Sequence, residues 1–106
     1  MKPPHYIKQW RSHRGYSLRE LARRMEHEPG RELLSHASIG RIERGLQPYT
    51  QETLQAFAFA LDAEPWELLH VNPLVDGEVV DLMRVLRLMD GDQRAQAMAV
   101  LKALSA

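Results

Sequence analysis

The sequence predicts an all-α protein in which a five-helix domain precedes a two-helix hairpin. Apolar residues recur at intervals of three and four along the chain, which is the spacing of one helical face. The sustained alternation of β-branched and aromatic residues that indicates a strand is missing. With 106 residues, of which 44% are hydrophobic, the chain can bury about 65% of the surface that it exposes when unfolded. A modest helical core is therefore expected.

The first two helices are delimited by a glycine and a capping serine. The first is predicted over residues 6–13 and ends before Gly15. Ser17 is the predicted N-cap of the second, and Glu20, three residues later, has the spacing that completes a capping box. The predicted inner faces are Ile7 and Trp10 in the first helix, and Leu18, Leu21, Ala22 and Met25 in the second.

Three further helices complete the predicted domain. Ser35 is the N-cap of the third, whose buried side is Ile39 and Ile42, and Gly45 is its expected C′ residue. The fourth begins at Thr50 and the fifth at Pro65, a residue suited to a first helical turn. The predicted core of these last two helices is Leu54, Phe57, Ala58 and Leu61, closed by Trp66, Leu68 and Leu69.

The C-terminal segment is predicted to be an antiparallel helical hairpin. Residues 72–77 form a linker, so the predicted domains are residues 1–71 and residues 72–106. One apolar stripe runs along each hairpin helix, with Ala97, Met98, Leu101 and Leu104 expected to face inward in the last. So small a hairpin needs either the first domain or a second copy of itself to cover its stripe. For a homodimer, the interface candidates are Leu82, Met83, Leu86, Met89, Met98 and Leu101.

Charge is divided unevenly along a chain whose formal net charge is zero. Residues 1–50 contain ten Lys and Arg but five Glu, and the remainder carries the opposite excess. This division favours contact between the first half and a polyanion, although chance placement explains it equally well. The absence of cysteine excludes a disulfide framework and a thiolate zinc site. Without a predicted membrane span or signal peptide, the protein is expected in the cytoplasm.

Three stretches together resemble a known family. "SLRELARRM", "SIGRIERG" and "TLQAFAFALDAEPWELL" occur in the order seen in the Cro-repressor-like, XRE-type helix-turn-helix family, and the resemblance covers about residues 6–70. It implies a five-helix, lambda-repressor-like domain and a sequence-specific transcriptional regulator, most simply a repressor, of the bacterial cytosol or nucleoid. The implied partners are double-stranded DNA and a second copy of the chain, and no cofactor is expected.

The resemblance also implies roles for individual residues. The third helix would enter the major groove, with His36, Ala37 and Arg41 meeting base edges. The fork of Arg41 suits guanine O6 and N7. The implied phosphate contacts are Ser17, Arg19, Arg31, Ser35, Ser38 and Arg44. Glu43 would form a bidentate ion pair with Arg11. A solvated helix face remains the alternative for each arginine, and an ordinary surface histidine for His36.

Three positions depart from the family pattern. Leu18 stands where the family often has a glutamine that braces a phosphate. Residues 26–34 lengthen a turn of ordinarily about three to four residues. This insertion contains Pro29–Gly30 and the stretch "RELL", which suggests a helical turn; it could carry Arg31 beside DNA or tilt the third helix. Gly40, in mid-helix, allows a close backbone approach or is merely tolerated.

The sequence gives less support to two other classes of function. Catalysis or metal binding is not expected, because His5, His13, His27 and His36 lack the spacing that places two ligands on one helical face, and phosphate-binding or nucleophile motifs are missing. A protein-interaction module, such as an antitoxin or adaptor with a regulatory protein partner, would keep the fold without reading DNA. Salt dependence of DNA affinity separates that alternative from a DNA-binding regulator.

Overall fold

The computed structural model describes residues 5–26 and 28–106, and the regular secondary structure of these residues is entirely helical. The described chain separates into two compact units, the first ending at Asp76 and the second comprising Gly77–Ala106. The first unit contains α1 (Ile7–Arg14), α2 (Leu18–Arg24), α3 (His36–Glu43), α4 (Gln51–Ala60) and α5 (Pro65–His70). The second contains α6 (Gly77–Leu88) and α7 (Gly91–Ser105). The predicted all-α fold class is confirmed.

Serine side chains cap α2 and α3 as predicted. Ser17 Oγ accepts from the backbone N–H of Glu20 at 3.1 Å, and Ser35 Oγ accepts from that of Ser38 at 3.1 Å. The Glu20 carboxylate does not complete the expected capping box; it accepts instead from Arg24, one turn further along α2, at 3.4 Å. The side chains of Glu20 and Arg24 thus form an i,i+4 pair on the surface of α2.

A Schellman motif ends α3 at the predicted glycine. Gly45 has φ +75°, in the left-handed region. Its N–H donates to the Ile42 carbonyl at 3.0 Å, and the N–H of Leu46 donates to the Arg41 carbonyl at 2.8 Å. These two bonds satisfy carbonyls that the helix leaves without a partner and turn the chain back over the last turn of α3.

The core of the first unit is formed by one face of each helix. Its buried hydrophobic side chains are Ile7, Trp10, Leu21, Ala22, Met25, Ile39, Ile42, Phe57, Ala58, Leu61 and Leu68. The prediction for Trp66 was wrong, because this side chain is 51% exposed. The buried face of α5 is formed by Glu67 and Leu68. Trp66, the residue before them, lies on another side of the helix and points toward solvent.

The insertion between α2 and α3 contains a tight turn. The Arg31 N–H donates to the Glu28 carbonyl at 2.9 Å, and Gly30 has φ +80°. Pro29 followed by glycine at positive φ has the residue order of a type II β-turn. The suggestion of a helical turn in "RELL" was wrong, since Arg31 forms an isolated β-bridge with Glu28 and residues 32–34 are non-helical. His27 lies outside the described residues.

The second unit buries few of its apolar side chains. Asp90 caps α7 in a capping box with Gln93. Val80 is the only buried residue of α6, and α7 has none. Along the α7 stripe, Ala97 is half-buried and Met98, Leu101 and Leu104 are exposed, so the hairpin does not cover this stripe by itself, as expected for so small a unit. No helix of the described residues has the length and apolar composition of a membrane span.

Candidate nucleic-acid interface

The two faces of α3 differ sharply in environment. Ile39, Gly40 and Ile42 are buried and hold the helix against the rest of the first unit. The other side exposes Ala37 and Arg41, with His36 and Ser38 half-buried beside them. The residues predicted to meet base edges thus share the face that the core leaves free.

Leu18 and Gly40 meet where α2 and α3 pack together. A Cβ built on Gly40 would lie 3.5 Å from Leu18 Cδ1, which is ordinary van der Waals distance. The leucine side chain therefore occupies the space beside the glycine. Two of the departures from the family pattern, Leu18 and Gly40, are complementary parts of one helix contact.

The ion pair between Arg11 and Glu43 has the bidentate geometry that the resemblance implies. Arg11 Nε donates to Glu43 Oε2 at 2.6 Å and Nη2 donates to Oε1 at 3.0 Å. The Glu43 side chain is only 4% exposed, and the hydrogen bond to it raises the pKa of Arg11 above its ordinary value. Arg11 Nη1 also donates to the Tyr16 carbonyl at 2.9 Å. One guanidinium thus connects α1 to the start of α2 and the end of α3.

His5 supports the same end of α3 and was not assigned this role from the sequence. The ring is buried, and its Nε2 lies 3.1 Å from the Ile42 carbonyl. Nδ1 lies 3.5 Å from the Ile7 N–H, and the ring packs edge-on against Tyr49 with 5.7 Å between centroids. Burial lowers the pKa of His5. The neutral tautomer with its proton on Nε2 fits both neighbours, because Nε2 then donates and Nδ1 accepts.

Long-range hydrogen bonds from α1 to main-chain carbonyls keep this frame in place. Trp10 Nε1 donates to the carbonyls of Glu67 and Val71, at 3.2 and 3.0 Å. Arg14 Nε donates to the Leu61 carbonyl at 2.8 Å. α1 is therefore joined to the ends of α3, α4 and α5.

Arg41 is held by neighbours on the exposed face. Its Nε donates to Gln47 Oε1 at 3.1 Å and its Nη2 donates to Ser38 Oγ at 3.0 Å. Ser38 Oγ also accepts from Ser35 Oγ at 3.2 Å. The structure thereby connects three predicted contact residues and adds Gln47, which the sequence analysis missed. No residue pattern pointed to this contact, because it joins two flexible side chains on either side of the helix end.

The remaining predicted phosphate contacts are exposed but lie on separate elements. Ser17 and Arg19 are at the start of α2, and Arg44 is the C-cap of α3. Arg31 is on the turn of the insertion, where its Nη1 lies 3.5 Å from Glu28 Oε2. Arg31 therefore has a nearby carboxylate that partly offsets its charge.

The chemistry available on this surface is that of hydrogen-bond donation. Guanidinium, hydroxyl and amide groups provide donors for phosphate oxygens and for acceptors on base edges. Within residues 5–26 and 28–106, no group of three His, Cys, Asp or Glu side chains could hold a metal ion. The six predicted dimer-interface residues all belong to the second unit, in which Leu82, Met98 and Leu101 are exposed and Met83, Leu86 and Met89 are half-buried.

Comparison with known proteins agrees with this arrangement. A family model described as a helix-turn-helix domain matches residues 5–71, which is more than half of the chain. Neither the curated proteins nor the solved structures gave a significant match. The matched segment contains α1 to α5, including the α2 and α3 pair and its extended connection. The chain belongs to the helix-turn-helix domain family.

Proposed function

We propose that this protein is a sequence-specific transcriptional regulator of the XRE type that reads the major groove with α3. The observation that carries the proposal is that α3 is fixed along one face while the opposite face exposes Arg41 and Ala37. In helix-turn-helix proteins the second helix of the motif enters the major groove with such a free face. Occupation of a promoter by the bound protein would make it a repressor.

Base reading and phosphate binding are assigned to different arginines. Arg41 lies one turn after the start of α3, where its fork can donate to guanine O6 and N7. Arg44, at the C-cap, is proposed to contact phosphate, as are Ser17 and Arg19 at the start of α2. His36 and Ala37 complete the base-reading set. Ser38 keeps its own O–H for a phosphate, because its oxygen accepts from Ser35 and Arg41.

We also propose that the protein acts as a homodimer through α6 and α7. Exposed apolar side chains on both helices favour this assembly, since so little of their surface is buried within the chain. Two copies would read two half-sites about one helical turn of DNA apart, which raises specificity. The proposed role is binding, with no catalytic step, in the bacterial cytosol or nucleoid.

Selection of duplexes from a random pool at two salt concentrations tests the proposal. Enrichment of a shared sequence, with affinity falling steeply as salt rises, is expected of a DNA-reading protein. On the selected duplex, Arg41→Ala should cost about 1 to 3 kcal/mol and relax one base position. Arg44→Ala should weaken selected and random duplexes equally. Arg94→Ala, an exposed arginine of α7, is the matched control and should change neither.

Two outcomes would contradict the assignment. Equal losses on selected and random DNA for both Arg41→Ala and Arg44→Ala would remove the base-reading role of Arg41. Failure to bind any duplex in dilute buffer would favour the alternative, a protein-interaction module such as an antitoxin or adaptor.

A further inference from the structure

Arg41 is fixed more firmly than an exposed arginine ordinarily is. An arginine side chain on a helix surface samples many rotamers, and a guanidinium that must be ordered on binding loses much of that freedom. Here Nε and Nη2 of Arg41 both have protein acceptors, Gln47 Oε1 at 3.1 Å and Ser38 Oγ at 3.0 Å. Two bonds to one side of a planar group restrict both its position and its plane.

The main chain explains why Gln47 lies within reach of Arg41. In the Schellman motif that ends α3, the Leu46 N–H donates to the carbonyl of Arg41 itself at 2.8 Å. Gln47 follows directly, so its side chain starts close to the last turn of the helix. Pro48 then restricts Gln47 to extended backbone conformations. Gln47 is half-buried, whereas Arg41 is exposed, so the glutamine is the more constrained partner.

The bonds within the protein leave part of the guanidinium available. Nε–H donates to Gln47 and one N–H of Nη2 donates to Ser38. Both N–H groups of Nη1 and the second N–H of Nη2 are left for a ligand. Two parallel donors match two acceptors, and guanine is the base that presents two acceptors, O6 and N7, on its major-groove edge.

Ser38 connects this arrangement to the cap of α3. Its oxygen accepts from Ser35 Oγ at 3.2 Å as well as from Arg41, while Ser35 Oγ itself accepts from the Ser38 N–H. A hydrogen-bonded series therefore runs from the helix start to Gln47 beyond the helix end. The Ser38 acceptor of Arg41 is thus itself held by Ser35, and the Gln47 acceptor is half-buried, which favours preorganised recognition.

We propose that Gln47 is a positioning residue that orients Arg41 for end-on recognition of a guanine in the major groove. This inference rests on the proposed DNA-reading function, in which Arg41 touches the base and Gln47 does not. Because the ordering of Arg41 precedes binding, Gln47 increases discrimination at one base pair more than it increases general affinity for DNA.

The experiment compares Gln47→Ala and Gln47→Glu in the full chain. Discrimination is measured as the ratio of affinities for the selected duplex and for a duplex altered at the position that Arg41→Ala relaxes. Gln47→Ala should lower this ratio about threefold to tenfold and leave affinity for random DNA nearly unchanged. Gln47→Glu keeps an acceptor for Arg41 Nε, so it should retain the ratio while its charge weakens binding to all duplexes. Gln55→Ala, an exposed glutamine of α4, is the matched control.

Two further measurements separate positioning from loss of folding. In an Arg41→Ala background, Gln47→Ala should have no additional effect on the ratio. Without DNA, the Arg41 Nε–H resonance should be protected from solvent exchange in the parent protein and in Gln47→Glu, and should lose that protection in Gln47→Ala.

The outcomes distinguish this inference from the proposed function. An unchanged ratio for Gln47→Ala, in a protein that still selects a sequence and needs Arg41, would overturn the role of Gln47 alone. An equal further loss in the Arg41→Ala background would do the same. Failure of the parent protein to select any duplex would contradict both the proposed function and the role of Gln47.

Discussion

At the scale of single residues, the end of α3 is where the most demanding chemistry is concentrated. A carboxylate near a helix C-terminus faces the negative end of the helix dipole, so Glu43 is unfavourable there without a cation. Arg11 supplies the cation in bidentate form, and His5 binds the adjacent Ile42 carbonyl. The orientation of α3 therefore depends on residues that are not expected to touch DNA.

The buried imidazole of His5 makes folding sensitive to pH. Burial lowers its pKa below the ordinary value of 6.5, so between these two pKa values the unfolded chain binds a proton that the folded chain does not. The negative charge of Glu43 and the bond to Ile42 oppose the shift, and Tyr49 packs on the ring. The contribution of neutral His5 to the free energy of unfolding is therefore fully present above pH 6.5. We expect the free energy of unfolding to fall below that pH, by at most about 1.4 kcal/mol per pH unit.

Urea unfolding between pH 8 and about 5.5 measures this effect above the range in which carboxylates titrate. His5→Gln is the control, because its amide can still donate to the Ile42 carbonyl but does not titrate. The variant should show a flatter profile over the same range. Identical profiles for the parent protein and His5→Gln would show that His5 has no part in the pH dependence.

The roles of these residues were predictable to different degrees. The pair of Arg11 and Glu43 followed from the family motif, because both partners stand at recognisable positions. The contacts of His5 and of Gln47 did not, since a bond to a main-chain carbonyl or to a flexible exposed side chain leaves no residue pattern. Arg31 was predicted as a phosphate contact because the insertion could carry it beside DNA, and the sequence does not reveal that the Glu28 carboxylate lies beside it.

At the scale of elements, capping and periodicity predicted most of the helices. Ser17, Ser35, Thr50 and Gly45 mark helix ends because their side chains or dihedral angles satisfy main-chain groups locally. Errors arose where several local solutions compete. The Glu20 carboxylate forms a pair with Arg24 and not with the N-cap N–H. Trp66 is exposed because the buried face of a six-residue helix such as α5 depends on tertiary packing, which residue spacing does not specify.

Replacement by alanine should have opposite effects on stability at Gly40, within α3, and at Gly45, just after its end. Gly40→Ala should stabilise the protein by about 0.5 to 1 kcal/mol, because the new Cβ lies at 3.5 Å or more from the flexible ends of Leu18 and Arg44. Gly45→Ala should destabilise it by about 1 to 2 kcal/mol, since φ there is +75°. Chemical denaturation of both variants measures the difference. A loss of stability in Gly40→Ala would contradict the expectation that the space beside Leu18 accepts a methyl group.

At the scale of the whole molecule, the two units differ in how far sequence determines their packing. The core of the first unit was largely predictable, because the apolar faces of α1 to α5 pack against one another. The hairpin stripe was recognised, but a stripe fits a neighbouring domain or a second copy equally well. Leu82, Met98 and Leu101 are exposed, so the hairpin does not cover its own stripe, as expected with either partner.

A charged variant of the hairpin tests the homodimer. Leu82→Glu combined with Leu101→Glu should convert a dimer to a monomer, because it places carboxylates in an apolar seam while retaining good helix formers. Sedimentation equilibrium measures the mass, and affinity for a duplex with two half-sites should fall while affinity for one half-site persists. Phe59→Glu, at an 86% exposed position of α4, is the control and should remain dimeric. A monomeric parent protein, or a dimeric double variant, would contradict the proposed seam.

The contrast between the two ends of α3 has a consequence for how such proteins diversify. Its C-terminal end is tied to Arg11 of α1 through Glu43 and to His5 through the Ile42 carbonyl, whereas the side chains of His36 and Ala37 take part in none of the hydrogen bonds of the described residues. Substitution at these two positions leaves the framework intact. If these two residues read bases as proposed, substitution there would change the preferred DNA sequence at little cost in stability, and related domains with different targets could share one framework.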